Sequence, residues 1–564
     1  MKKKLLLIAL NSLLILISQA QTVNFEWAKS MGGSTSDMGI SITTDNFGNV
    51  YTAGLYEGVV DFDPSASTFN LTPFGSSDIF IQKLDINGNF IWAKSIGGSG
   101  SEYNPSISVD LSGNVYTIGL FEGTIDLDPS LSSFYLTSNG LLDAFIQKLD
   151  ANGNFIWAKS IGGVNNDDPS SIIIDTSGIY ITGYFDGTVD FDPNSAIYNL
   201  TSNGQINFYI LKLDTNGNFI WAKSAGGSSS DFSTTITLDI FGNVYITGGF
   251  GSTVDFDPGI NTFNLTSNGN WDVFIQKLDA NGNFIWAKSM GGPTNDYSFS
   301  ITTDNLGNVY VTGPFEGVAD FDPSLSTFNL TSQGSSDIFV QKLDLNGNFI
   351  WAKSMGGNLT DIGWDLIVDD FGNTYVTGSY MSTVDFDPSA STFNLTSNGN
   401  LDFFIQKLDA NGNFIWVESF GGGLNEEGLD LLSDGLGNLY LTGRFQAAVD
   451  FDPSPSTFIL TSNGNWDTFI LKLSLPIGVG TLDLKNNLEL NIFPNPTSGK
   501  VSINLSEVKT NLKVTLTNNL GQVIFTQQFE STDFSHFNID SPKGMYFLQL
   551  EVDGEVITKK IIKK

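Results

Sequence analysis

Two acidic patterns recur seven times in this sequence, and both place oxygen donors where chemistry could occur. The first is Asp-[Phe/Leu]-Asp-Pro, at Asp61 and Asp63, Asp126 and Asp128, Asp190 and Asp192, Asp255 and Asp257, Asp320 and Asp322, Asp385 and Asp387, and Asp450 and Asp452. In an extended segment, residues i and i+2 share a face about 7 Å apart. Hard oxygens at that spacing, helped by backbone carbonyls, suit Ca²⁺. The same residues also suit a turn, because Pro holds the residue before it in extended geometry. Two carboxylates ~7 Å apart in water repel by only ~0.6 kcal/mol, so the pair does not require a metal. The second pattern is one acid ten residues after a recurring Trp: Asp37, Glu102, Asp167, Asp231, Asp296, Asp361 and Glu426. Calcium ligands and turn aspartates both remain open readings.

Catalytic chemistry has fewer candidates. General-base catalysis most often uses His, and the single histidine, His536, lies outside the repeated region and reads as a strand residue. With no cysteine, thiol chemistry and disulfides are absent. Paired carboxylates can run glycoside hydrolysis, but seven equivalent pairs point to architecture, not to one tuned acid and one base. A site in a symmetric molecule should fall where the repeats disagree, and the departures are Arg444, Trp364, Trp271, Trp466 and Asn207. Arg444 is the sole arginine. Trp271 and Trp466 each follow Ser-Asn-Gly-Asn, where an indole could stack on a sugar ring or cover a neighbouring unit. Trp271, Trp466 and Arg444 are the candidate ligand-binding residues.

The elements that position these residues repeat with a period of 65, broken once by a 64: the Trp falls at 27, 92, 157, 221, 286, 351 and 416. Such a period marks a repeat architecture. Within one unit, SISVD, GNVYTIGLF, DAFIQKLD and NFIWAKS are short runs rich in β-branched and aromatic residues, ended by Gly, Asn or Asp, and read as four strands. The links Asp110 to Asn114 and Asp150 to Asn154 put Asp at the turn start and Gly at a left-handed position. They differ from an EF-hand loop, whose Gly is sixth. Four-stranded units repeated radially make a β-propeller. The chain opens with only the end of the phrase, NFEWAKS, and the repeats close with only its start, FILKLSL. The expected fold is therefore all-β: a seven-bladed propeller closed by pairing of N- and C-terminal strands, then a small β-sandwich.

Residues 1–20 read as a signal peptide, with a basic start, an apolar run of about 13 residues and a Ser-Gln-Ala cleavage site between Ala20 and Gln21. That run is short of the ~20 residues that span a bilayer, so the mature chain is expected to lack a transmembrane segment. Residues 21–476 hold 51 acids against 14 bases. Such a surface repels phosphate backbones, so nucleic acid is excluded as a partner.

The motifs GNVYITG, FIQKLD and WAKSIGG resemble the bacterial β-propeller repeat family known as SBBP, over roughly residues 24–475. The resemblance implies an extracellular or envelope propeller and lends no common activity. After a linker at 476–487, residues 488–564 read as about seven short strands. PNPTSG at 494–499, NLGQ at 519–522, KGMY at 543–546 and the terminal KKIIK resemble, in order, the Por-type C-terminal sorting domain of the type IX secretion system of Bacteroidota. That resemblance implies passage across the outer membrane, tail removal, and attachment to surface lipopolysaccharide or release. The expected function is a secreted or surface-attached, monomeric, non-catalytic propeller for binding or adhesion to glycan or other extracellular polymer. The alternatives are a polysaccharide hydrolase or lyase, or a structural spacer. No cofactor beyond Ca²⁺ is suggested.

Overall fold

The computed structural model describes residues 23–475, 490–493, 497, 499–518, 523–542, 544–552 and 555–563. The expected signal peptide with its Ala20–Gln21 cleavage site, the 476–487 linker and the NLGQ motif lie outside the described residues. The chain divides into two compact units, Met1–Ile477 and Gly478–Lys564. Every regular element among the described residues is a β-strand. No helix there is long and apolar enough to cross a membrane.

The first unit is built from propeller-like repeats. In one, Met38–Thr44, Val50–Tyr56, Asp78–Leu84 and Phe90–Gly98 pair antiparallel in sequence order. The two middle strands, VYTAGLY and DIFIQKL, are buried almost throughout. Their unbroken apolar and aromatic runs suit a sheet covered on both faces. The turn between the third and fourth strands follows from its sequence. Asp85 Oδ1 accepts the N–H groups of Asn87 at 2.8 Å and Asn89 at 2.9 Å, and Gly88 sits at φ +75°. Only Gly takes that conformation without strain.

The same four-stranded order recurs through the unit. In the last repeat, Glu426–Ser433, Asn438–Phe445 and Asp467–Ser474 find their fourth strand at the start of the chain. Asn24–Met31 pairs antiparallel with Asp467–Ser474, from Asn24 opposite Ser474 to Met31 opposite Thr468. The first strands of successive repeats lie against one another, and Glu426–Ser433 lies against Met38–Thr44. Across that last junction the Ile42 N–H donates to Asp430 Oδ2 at 2.7 Å.

The lysine of each third strand is absorbed by this packing. Lys83 Nζ lies 4.8 Å from the Tyr51 ring centroid and donates to the Ala151 carbonyl of the next repeat at 3.1 Å. Trp92 Nε1 donates to the same carbonyl at 3.3 Å. Equivalent Lys–Tyr contacts, 4.6 to 5.2 Å, recur in the other repeats. A lysine held over an aromatic face and bonded to a carbonyl is a fastener between units.

The tail differs from the expectation of seven short strands. Its described residues form five: Leu490–Phe493, Lys500–Asn518, Val523–Asn538, Gly544–Val552 and Glu555–Lys563, joined in one hydrogen-bonded sheet. The long second strand explains the miscount. Val501 and Ile503 are buried at odd positions, whereas Leu512, Val514 and Leu516 are buried at even ones. The register shifts between Asn504 and Lys509. A bulge turns the strand over without ending it, and in sequence such a parity change looks like a break. His536 lies in the third of these strands, opposite Ser502.

Candidate functional site: repeated junctions and a divergent mouth

The Asp-x-Asp-Pro elements form tight folded-back segments. Val60–Asp61 pairs with Asn70–Leu71, and the intervening Phe62 is 1% exposed. Gln82 of the third strand donates to the Phe62 carbonyl at 2.6 Å. The alternation that puts both Asp side chains on one face drives the residue between them into the core. Asp61 Oδ1 accepts the N–H groups of Asp63 at 3.1 Å and Phe69 at 2.8 Å, and Asp63 Oδ1 accepts that of Ser65 at 2.9 Å. The same bonds recur at Asp126/Asp128, Asp190/Asp192, Asp255/Asp257, Asp320/Asp322, Asp385/Asp387 and Asp450/Asp452. Each first Asp thus staples its turn. No group of three or more acidic or His side chains converges in a metal-like cluster among the described residues.

The second acidic pattern is buried. Asp37, Glu102, Asp231, Asp296, Asp361 and Glu426 are at most 1% exposed, and Asp167 is 2% exposed. Asp37 shows why: Oδ2 accepts the Gly33 N–H at 2.7 Å, and Oδ1 accepts the Glu57 N–H at 3.1 Å. It ties the Gly-Gly loop to the end of the second strand. Burial pushes these carboxyls up, to about 7 in Asp37, about 8 in Glu102 and about 6 in Asp231.

A further acid, visible in the sequence only as the Asp that Asn207 replaces, opens every third strand but that one, 24 residues before the acid it meets. Asp78, Asp143, Asp272, Asp337, Asp402 and Asp467 are buried too, and each except Asp143 accepts at least two hydrogen bonds from its own loop or the fourth strand. Burial raises their pKa values as well, to about 6 in Asp143 and about 7 in Asp337. Each is close enough to the next repeat's buried acid to raise a partner's pKa by charge, as Asp78 does to Glu102 and Asp467 to Asp37. A Cβ on Gly97 would stand 2.1 Å from the Asp78 carboxyl carbon, so the first Gly of each Gly-Gly makes room for this group. Asn207 is the one departure: its amide accepts the Asn203 N–H at 3.3 Å, and Asp231 beside it carries no charge contribution from that position.

The repeats disagree somewhere else. A cavity of about 350 Å³ is lined by the first strands of all seven repeats, from Ser41 through Asp430. A second, of about 260 Å³, shares Ile40, Pro105, Ser170, Thr234, Phe299 and Trp364 with it and opens over Asp168, Tyr184 and Phe232. The position of Ile40 is Pro105, Ser170, Thr234, Phe299, Trp364 and Leu429 in the other units. The position of Met38 is Tyr103, Asp168, Phe232, Tyr297, Ile362 and Glu427. These columns have no consensus, in contrast to the closely similar second and third strands around them.

Local pairing organises this mouth. Tyr184 and Asn104 donate to Asp168 Oδ2 at 2.8 and 3.0 Å, while Asp168 is 4% exposed and pushed by burial to about 6. Trp364 packs on Phe299 with ring centroids 4.5 Å apart and donates through Nε1 to Ser379 at 3.1 Å. Inside the cavity Asp365 takes the Ser300 hydroxyl at 2.5 Å and the Leu431 N–H at 2.9 Å. Asp365 and Asp430 are hydrogen-bonded to each other and keep some surface open to the cavity. Burial raises both, and the charge of Asp365 raises Asp430 further.

The residues singled out by sequence divide. Arg444 and Trp466 come together: the guanidinium lies 4.4 Å over the indole and bonds Glu427 at 2.6 Å. Trp271 stands edge-on to Phe232 and Tyr297 at 5.5 and 6.5 Å and donates to the Ser230 carbonyl at 3.1 Å. Trp364 lines both cavities. Asp168, Tyr184, Asp365 and Asp430 were missed, although aligning the units by their Trp would have exposed those columns.

Comparison with known proteins bears first on the tail. Residues 491–564 match the family described as the secretion system C-terminal sorting domain. The tail is a sorting domain. Residues 220–248 and 285–313 match the family described as the beta-propeller repeat. The sorting domain implies export by type IX secretion to the cell surface or extracellular space. The chain is 25% identical over 549 residues to an uncharacterized WD repeat-containing protein of Acanthamoeba polyphaga mimivirus, covering 81% of this chain and 39% of that protein. It is 25% identical over 195 residues to the regulatory protein FlaEY of Caulobacter vibrioides, covering 34% of this chain and 19% of that one. It thus spans well under half the length of either relative. The crystal structure of a protein of unknown function from Dyadobacter fermentans matches at 9% identity with a TM-score of 0.36, over 81% of this chain and 100% of the other.

Proposed function

We propose that residues 23–475 form a closed seven-bladed propeller, displayed outside the cell after type IX export, that binds glycan or another extracellular polymer without catalysis. The observation that carries this reading is the mouth. Conserved packing surrounds a cavity whose rim varies from repeat to repeat and gathers Trp364, Phe299, Phe232 and Tyr184 beside hydrogen-bonding groups. Apolar rings with a few placed polar groups are what small-molecule sites offer, and indoles stack on sugar rings through their faces. Closure of the ring is supported by the Asn24–Met31 strand in the last sheet and by the bond from Ile42 to Asp430.

The alternative, a polysaccharide hydrolase, would use the one asymmetric carboxyl pair, Asp365 and Asp430. Their direct hydrogen bond argues against it, since retaining glycosidases hold their two carboxyl groups ~5 Å apart and inverting ones further. Affinity electrophoresis of the purified protein against a panel of polysaccharides tests binding, with Trp364→Ala expected to weaken retardation while a cooperative melt reports that the variant still folds. Release of oligosaccharides from any polymer in the panel would overturn the non-catalytic reading.

A further inference from the structure

We propose that the mouth selects an ammonium-bearing ligand, the protonated amino-sugar unit of a deacetylated glycan, held over Trp364 and Phe299 and facing the carboxyl groups of Asp168, Asp365 and Asp430. This rests on the glycan-binding reading and narrows it by charge.

Three independent observations converge. The first is composition of the lining: Asp168, Asp365 and Asp430 border the two connected cavities, and no lysine or arginine does. Arg444 is engaged by Glu427 and Trp466. The second is the aromatic surface. Trp364, Phe299, Phe232 and Tyr184 line the outer cavity, and an ammonium over such faces is attracted by their quadrupoles, more strongly where water is excluded. The third is unused accepting capacity. Asp168 is 4% exposed, yet its Oδ1 has no hydrogen-bond partner. Asp365 and Asp430 stand side by side on the inner cavity, and the hydrogen bonds from Ser300, Leu431 and Ile42 leave carboxyl lone pairs that an ammonium's three donors can use.

An anionic sugar would meet these carboxyls with like charge. A neutral sugar could stack but would leave them uncompensated. The acidic field of the whole unit, with 51 acids against 14 bases over residues 21–476, acts in the same direction by concentrating cations near the surface. The outer cavity, about 260 Å³, falls just below the ~300–1,000 Å³ that drug-sized ligands occupy. It suits one sugar unit or a chain end.

The test measures binding of three β-1,4-linked oligosaccharides of equal length to the purified protein by calorimetry, in low-salt buffer near neutral pH, above the value of about 6 at Asp168 so that its carboxylate is charged. One is a glucosamine oligomer, one its N-acetylated counterpart and one an oligouronate. The expected result is about tenfold tighter binding of the amine form than of the N-acetyl form, and no binding of the uronate. Added salt should erase that preference. Asp365→Asn should reduce it without weakening the N-acetyl form, and Trp364→Ala should weaken both. The melting temperature of each variant reports whether it folds, and the wild-type series decides the matter even if one does not. Equal binding of the amine and N-acetyl forms overturns the charge selection and leaves the glycan reading standing. Tighter binding of the uronate overturns the charge selection too. Failure of all three to bind overturns both.

Discussion

The buried carboxyls at the repeat junctions and the carboxyls at the mouth are the same chemical group put to different ends. At the junctions, Asp78 and its equivalents meet Asp37, Glu102 and theirs in nearly every repeat, bonded to backbone amides and packed against a glycine. At the mouth, Asp168, Asp365 and Asp430 each occur in one or two repeats, border open volume and bond to side chains as well as backbone. Repetition marks residues that hold the units together, and departure from it marks residues free to meet something else. Perturbed carboxyls alone would not distinguish them, because burial raises both sets.

The comparison breaks most visibly at the glycines. Gly97→Ala pushes a methyl group to within 2.1 Å of the Asp78 carboxyl. It is expected to cost ~3 kcal/mol through overpacking and displaced hydrogen bonds, read as a fall in melting temperature, whereas Trp364→Ala at the mouth, losing the Phe299 contact and the Ser379 hydrogen bond, should lower it less. Equal losses would erase the distinction.

Next in size is pH. The junction carboxyls have folded pKa values raised to about 6 to about 8, above the ~4 of an unfolded Asp or Glu. Their contribution is therefore full below the unfolded value and is lost as pH rises through the folded one. The turn aspartates Asp85, Asp150, Asp214, Asp279, Asp344 and Asp409 act oppositely. Partial burial raises them, but hydrogen bonds from the following Asn residues bring each below its ordinary value, so their contribution is lost in acid. The two sets together place the stability maximum near pH ~5. A thermal-melt series should show a decline from there to pH 8, and a rise over that range would contradict the assignment.

Single junctions sharpen the same point. Asp272, raised by burial to about 6, occupies the position where another repeat has Asn207. Asp272→Asn should raise the melting temperature at pH 8, and Asn207→Asp should lower it, each by on the order of 1–3 kcal/mol. Neither should matter much at pH 5. The smallest expected effect concerns the Asp-x-Asp-Pro turns. With each first Asp already bonded to two amides, EDTA should leave the melting temperature where it was. A saturable rise with calcium would instead make those turns metal sites, since a ligand at 100 times its dissociation constant adds ~2.7 kcal/mol per site.

Strand order and turn chemistry were legible in the sequence because each is local. The 65-residue spacing, the buried runs and the Asp-to-Asn turns all lie within a single unit. The acid ten residues after each Trp was legible as a position but not as a buried one, because the residue that meets it belongs to another strand of the preceding unit. The Asp-x-Asp-Pro element was read as a turn or a metal ligand, and the role of its central residue, such as Phe62, was missed. The tail was miscounted for a different reason: the bulge between Asn504 and Lys509 changes which face is apolar while the strand continues. The mouth was legible only in part. Trp364 and Arg444 stand out as rare types, whereas Asp168, Asp365 and Asp430 hide among 51 acids.

The sheet that joins Asn24–Met31 to Asp467–Ser474 also has a bearing on biosynthesis. Asn24 bonds Ser474 across 450 residues of sequence, so one of the first strands to leave the ribosome waits for one of the last. Contacts so far apart form late and lengthen the time during which an edge strand stands unpaired. A nascent chain interrupted before Asp467 would hold several complete repeats and still carry Asn24–Met31 without its neighbour. Because the sorting domain is translated after that strand, a chain that carries the export tail has necessarily already made the partner its first strand needs.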